Sequence, residues 1–256
     1  NPDSLPVNDP ALFVEVGLKA DTFSVDIDIN TTLACLYIQP TPDSLAQPRG
    51  TVILIHDDRK DRTTMIPLAR ELADSGYAVI AYDQRASGLT SGKYHGEGFY
   101  EANDLEEIIP YLVLRERIFH PLTVVGFSLG ADAALLASHD EKRIDRVAAV
   151  DPYLTTINYQ NTLKREHGTI WFPFFRTVMW WWYNMRSGYA APYRKIEDIK
   201  PVACRTLLFI AADKINTAEP ARLRDISSLE LLTLKPRPVD EKALFEELLS
   251  FIRQPL

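Results

Sequence analysis

Only two cysteines, Cys35 and Cys204, occur in 256 residues. That is too few for a disulfide framework or a thiolate metal site, so cysteine chemistry organises neither the fold nor a cofactor. The five histidines contain no His-x-x-x-His pair and no cluster at ligand spacing, which sets metal-assisted hydrolysis behind other chemistries. Glycine is sparse at 11 residues, and no glycine-rich phosphate loop is present, so a nucleotide cofactor is not indicated. No cofactor is expected.

Basic residues are outnumbered, 28 against 35 acidic, for a net charge of -7, and no lysine and arginine stripe tracks a phosphate backbone. A nucleic-acid partner is not expected. Long apolar runs are missing too: the aromatic stretch from Trp171 to Tyr183 is broken by Pro173 and Arg176 and is too short to span a membrane. No initiator methionine is present, and the polar, proline-rich opening fits either a trimmed chain or a mature form after signal removal. A cytoplasmic and an exported protein both remain open, as does the oligomeric state.

What is present is an ordinary globular composition, 46% apolar and 25% charged, in a chain of the size of one α/β domain with an insertion. Its organising stretch runs from Leu122 to Ala137. Strand-forming residues lead into Gly126-Phe127-Ser128-Leu129-Gly130, and an alanine- and leucine-rich helix-forming stretch follows at once. A serine in a strained strand-to-helix turn brings the residues two before and two after it against each other, and Gly126 and Gly130 have no side chains to clash. Ser128 would then stand at the tip of the turn, with the positive end of the helix behind it and the Leu129 N–H aimed at a developing oxyanion. The bland alternative is a tight glycine turn whose serine caps the helix.

On these residues the chain resembles the α/β-hydrolases, most of all the single-domain bacterial serine esterases, lipases and thioesterases, from roughly Asp21 to Phe251. The remaining elements read accordingly. Val25 to Ile29 and Leu33 to Ile38 form an edge hairpin. Thr51 to His56, Tyr77 to Tyr82, Val147 to Val150, Leu207 to Ala211 and Leu229 to Leu234 are strands, with helices over Thr63 to Ser75, Tyr100 to Leu114 and Asp240 to Ile252. The expectation is a doubly wound, mostly parallel sheet of about eight strands, with helices on both faces. Residues 21–154 and 195–256 would form the core, 1–20 an N-terminal extension, and 155–194 an aromatic-rich cap inserted after the sixth strand.

Sites in open parallel sheets lie at the carboxyl ends of the strands, where His56, Asp83, Ser128, Asp151 and Asp213 all fall and could face one cleft. His120 and His139 fall at the opposite edge. The resemblance makes Ser128 the nucleophile of a Ser-His-acid triad, His56 a structural residue beside the oxyanion loop, and the Asp58 N–H the second oxyanion donor beside that of Leu129. Three departures stand out. Asp57 replaces a glycine beside the oxyanion site, and the acid is displaced to Asp213 or, after the sixth strand, Asp151. Gravest, the loop after the last strand, Lys235-Pro-Arg-Pro-Val-Asp240, carries no histidine.

Serine without a base is a poor nucleophile, and His95 and His167 are the two histidines that could swing over the turn. Each also reads as a plain surface-loop histidine. Two functions follow. One is a serine hydrolase acting on a small carboxylic ester or thioester with an atypical acid and base, the cap aromatics suiting an acyl substrate. The other is a degenerate hydrolase fold that binds a small molecule or a protein.

Overall fold

The computed structural model describes residues 18–41, 47–92, 95–155, 201–212, 217–228 and 230–255, with positions 158, 161, 162, 178, 181, 185 and 214 among them. Strands β1 (Ala20–Asp28) and β2 (Thr31–Ile38) pair antiparallel, and the Asp28 carboxylate accepts the Asn30 N–H at 2.7 Å inside their turn. The continuous apolar runs become β3 (Thr51–Ile55), β4 (Ala78–Tyr82), β5 (Leu122–Phe127), β6 (Arg146–Val150) and β7 (Arg205–Ile210), and β8 (Leu232–Pro236) closes the sheet. Strands buried on both faces need no polar alternation, which is why they read as unbroken runs.

These strands make one eight-stranded sheet in the order β1-β2-β4-β3-β5-β6-β7-β8. The β1–β2 and β2–β4 pairings are antiparallel, and every pairing from β4 to β8 is parallel. The expected doubly wound, mostly parallel sheet of about eight strands is therefore what the chain forms.

Helices cover both faces. On one, α2 (Phe99–Leu114) and α3 (Leu129–Asp140) bury Leu105, Ile108, Ala131 and Ala134 against Ile53, Ile55, Val124 and Leu208. On the other, α1 (Ile66–Asp74) and the last helix (Glu241–Arg253) bury Leu68, Leu72, Leu244 and Leu248 against Val52, Leu54, Val125 and Phe209. Neighbouring residues of one strand thus serve opposite cores, and each fully buried aliphatic side chain contributes roughly 1.5–3 kcal/mol. The buried Arg146 guanidinium donates to the Ile252 carbonyl at 2.8 Å and to that of Gln254, which fastens the last helix to the amino end of β6.

Several boundaries move from the sequence reading: β1 begins at Ala20 rather than Val25, and β8 at Leu232 rather than Leu229. A helix over Ala218–Ile226, here α4, was not expected at all. It buries only Pro220 and Leu223, so it carries no apolar stripe for a periodicity to reveal. The last helix is accordingly α5. No helix among the described residues is long and apolar enough to cross a membrane. Residues 1–17 of the expected extension and most of the expected cap, including Trp171, Phe172, Trp180 and Trp182, lie outside the described residues.

Candidate active site at the carboxyl edge of the sheet

The turn between β5 and α3 is crowded. A side chain at Gly126 would place its Cβ 2.2 Å from the Gly130 carbonyl oxygen, and one at Gly130 would meet the His56 and Ile55 carbonyl oxygens at 2.7 and 2.8 Å. The chain bends so sharply that only hydrogen fits at either place. Ser128 between them takes φ 50 and ψ -112, and its N–H donates to the Val150 carbonyl at 2.8 Å. A non-glycine residue there is strained by roughly 1–3 kcal/mol, which the surrounding packing must offset. The same contacts seat the first turn of α3 directly on the end of β3.

Ser128 lies between two strand ends. On one side, Ile55 and Gly126 are register partners, so His56, Asp57 and Asp58 leave the sheet beside it. On the other, Phe127 partners Val150, so Asp151 leaves beside it, also with φ 50. The Leu129 and Asp58 N–H groups, the two expected oxyanion donors, meet no backbone acceptor among the described residues.

His56 is fully buried, and its roles are fixed by its partners. Its Nε2 accepts the Gln84 N–H at 3.0 Å, so the proton sits on Nδ1, which donates to the Asp57 carbonyl at 2.6 Å. Burial lowers its pKa, which keeps the ring neutral. Asp83 does not face a cleft: it is wholly buried and holds the Arg62 guanidinium and the Arg62 and Leu89 N–H groups at 2.7 and 2.9 Å. Gly88, at φ 50, lets the loop close over that carboxylate, since a Cβ would come within 2.2 Å of it.

Asp58 is 6% exposed. Burial pushes its carboxyl up to about 7, the Asp57 carboxyl hydrogen-bonded beside it adds to the rise, and Arg59 and His95 act against it. Asp57 Oδ1 is itself buried without a hydrogen-bond partner among the described residues. From the β6 side, the Tyr153 hydroxyl approaches Asp58 Oδ1 at 3.4 Å. Burial, then Asp58 and Asp57, push the Tyr153 phenol well up, so it stays a neutral donor. The buried Asp132 carboxylate on α3 accepts the Tyr153 and Leu154 N–H groups, each at 2.9 Å, and anchors that chain to the helix Ser128 begins.

His95, in the loop after β4, lies 3.5 Å from Glu101 on α2. Glu101 is fully buried and accepts the Gly96 and Gly98 N–H groups at 2.8 and 2.9 Å. Burial would raise its pKa, but the His95 ring and the Gly96 N–H outweigh that and hold it below the usual range. Nearby, Arg85 forks onto Asp104 and stacks 4.7 Å over the Tyr100 ring, which fixes α2 beneath the loop. Asp151 receives the Arg237 guanidinium, and the Arg237 N–H bonds the Ile210 carbonyl at 2.8 Å. Arg237 stands in the loop after β8, where the resemblance expects a histidine, and it cannot accept a proton. His120 bonds Asp145 at 2.6 Å at the opposite edge.

The structure thus brings Ser128, Leu129, Asp58 and Asp151 to adjacent strand ends, with His95 in the loop after β4. His167 and Asp213 lie outside the described residues. Sequence reasoning missed Glu101, Tyr153 and Arg237 as members of this edge. A glutamate three residues after Gly98 at a helix start was a signal for the first, and the other two had none.

A family model described as serine aminopeptidase, S33, matches residues 46–205. An uncharacterised protein of Bacillus subtilis, YqkD, is 30% identical over 87 residues, 34% of this chain, and the match spans only 28% of that relative's length. Among solved structures, an esterase from Pyrococcus furiosus aligns at a TM-score of 0.73 with 17% identity, covering 97% of this chain and 96% of its own. An α/β serine hydrolase from Xanthomonas campestris, without a lid, gives 0.57 at 17% identity, with 91% and 92% covered. A probable hydrolytic enzyme from Pseudomonas aeruginosa gives 0.59 at 16% identity, with 92% and 94% covered. At such identities the likeness speaks for the fold.

Proposed function

The chain belongs to the serine aminopeptidase S33 family of α/β-hydrolases, and from that membership we propose that it is a serine hydrolase cleaving a small carboxylic ester or thioester at Ser128. The observation that carries the reading is the turn itself. Ser128 holds a strained φ of 50 between two glycines that no side chain could replace, a geometry that structural capping alone does not require.

In this reading Ser128 Oγ attacks the acyl carbon, and the carbonyl oxygen becomes an oxyanion held by the Leu129 and Asp58 N–H groups at the start of α3 and the end of β3. The positive end of α3 adds to that field. The alcohol or thiol leaves with a proton, and water then releases the acyl group from Ser128. The acid and base are left open by this reading: the candidates the sequence offers are Asp151 and His95, with Asp213 and His167 outside the described residues. On the same proposal, residues 21–154 and 195–256 are assigned to the catalytic core, 155–194 to a cap insertion and 1–20 to an extension.

The test is turnover of a panel of p-nitrophenyl esters and acyl thioesters, from acetyl to octanoyl, by the wild type and Ser128→Ala. The expected result is saturable hydrolysis, reduced at least about a thousandfold in kcat/KM by the substitution. Turnover confined to aminoacyl anilides would move the substrate from esters to peptides, and turnover unchanged in Ser128→Ala would remove Ser128 from the reaction.

A further inference from the structure

We propose that the base for Ser128 is the side-chain carboxylate of Asp58, so that the hydrolase runs on a serine–aspartate pair with Asp57 and Tyr153 as its positioning groups. The proposal rests on the reading of Ser128 as nucleophile and names the proton acceptor that reading leaves open.

Three observations place the loop that carries Asp58 at the turn. Gly130 abuts the Ile55 and His56 carbonyls, so the loop that Asp58 belongs to is packed on the first turn of α3. Parallel register sets Ile55 beside Gly126, so the loop carrying Asp58 and the turn carrying Ser128 leave the sheet at adjacent strand ends. Tyr153, anchored to α3 through Asp132, crosses from the far side of β5 to reach Asp58 Oδ1. Ser128 directly follows the strand that this bridge spans.

The chemistry suits the place. A base works best with a pKa near the operating pH, and burial together with the Asp57 carboxyl brings Asp58 up to about 7. The groups facing it are Asp57 and Arg59 on its own loop, His95 from the loop after β4, and Tyr153 from the loop after β6. On the β6 side of Ser128, the Asp151 carboxylate is taken by the Arg237 guanidinium.

The proton balance closes. As Ser128 Oγ forms its bond to the acyl carbon, its proton passes to the Asp58 carboxylate, and the carbonyl π electrons move to the oxygen. Negative charge leaves Asp58 as it appears on the oxyanion, so the carboxylate does not oppose the charge that its own N–H stabilises. When the carbonyl reforms and the leaving-group bond breaks, Asp58 returns the proton to the alkoxide or thiolate. Water then gives Asp58 a proton as it attacks the acyl-serine, and Ser128 recovers it on release.

The experiment is the rate of covalent modification of Ser128 by a fluorophosphonate, followed by intact mass between pH 5 and 9, for wild type, Asp58→Asn, Asp57→Asn and His95→Asn. Folding of each is checked by circular dichroism. The expected wild-type rate rises with pH through an inflection near 7. Asp58→Asn slows labelling at least about a hundredfold. Removing the like-charged neighbour in Asp57→Asn moves the inflection down by about one pH unit, which a merely structural role would not do.

Labelling at the wild-type rate in Asp58→Asn, or an inflection that follows His95→Asn and ignores Asp57→Asn, overturns the carboxylate base and leaves the nucleophile standing. A wild type that never labels removes the nucleophile reading and this proposal with it. Should Asp58→Asn fail to fold, the Asp57→Asn inflection decides alone, and an unmoved inflection refutes the proposal.

Discussion

Ser128 at φ 50 stores backbone strain that the packing around the turn must offset. Ser128→Gly is therefore expected to raise stability by about 1 kcal/mol in urea unfolding while abolishing turnover, whereas Gly126→Ala should lower it by about 3 kcal/mol because the obstruction is backbone and cannot move aside. Gly130→Ala meets two further carbonyls and should behave likewise. Stability unchanged in both alanine variants would contradict the crowding on which the turn rests. At this scale the sharp turn around Ser128 was legible in the sequence, because Gly-x-Ser-x-Gly acts through residues two apart and needs nothing distant. The proposed acceptor was not, since Asp58 comes beside Tyr153 and His95 only after β3, β6 and the loop beyond β4 have been brought together. Asp83 shows the converse: a strand-end carboxylate that the edge rule placed in the cleft turned inward to Arg62, for which the sequence offered no sign.

Among elements, the parallel strands were easy to find and the contacts between their loops were not. Continuous runs such as Val52 to Ile55 announce a strand buried on both sides, while α4, with two buried residues, announces nothing. The loop after β8 was read for what it lacks. In the structure its Arg237 crosses the end of β7 to Asp151, so the segment is tied to the edge by charge rather than by a histidine. Both side chains are partly exposed, and Arg237→Gln is accordingly expected to cost less than about 1 kcal/mol in urea unfolding. At the other end of the same connection, Asp240 caps α5 by accepting the Ala243 N–H at 3.0 Å. Asp240→Ala should lower stability by about 1 kcal/mol in the same measurement.

Across the whole molecule, the burial of ionisable groups gives stability a pH dependence with a definite sign. The Asp58 carboxyl is raised to about 7, so between its unfolded value and 7 the folded state binds more protons than the unfolded state. Its contribution to stability is present at low pH and is lost as pH rises through that window. Asparagine does not titrate, so the melting temperature of Asp58→Asn relative to wild type should climb as pH goes from 5 to 8. Thermal melts of both proteins at the two pH values check this, and a constant difference would show that Asp58 is not held protonated by its surroundings. Asp104 acts in the same direction, raised to about 6 by burial against the pull of Arg85, while Glu101 is held low and its contribution is lost only in acid. The variant comparison isolates Asp58 from both.

The claim beneath all of this is that Ser128 is an activated nucleophile, and one measurement addresses it directly. Purified wild type and Ser128→Ala are exposed to a fluorophosphonate at pH 8 and their intact masses recorded. The account predicts one adduct per wild-type chain, mapped to Ser128, and none on the variant. A folded wild type that remains unmodified would contradict it and make this hydrolase fold a binding scaffold.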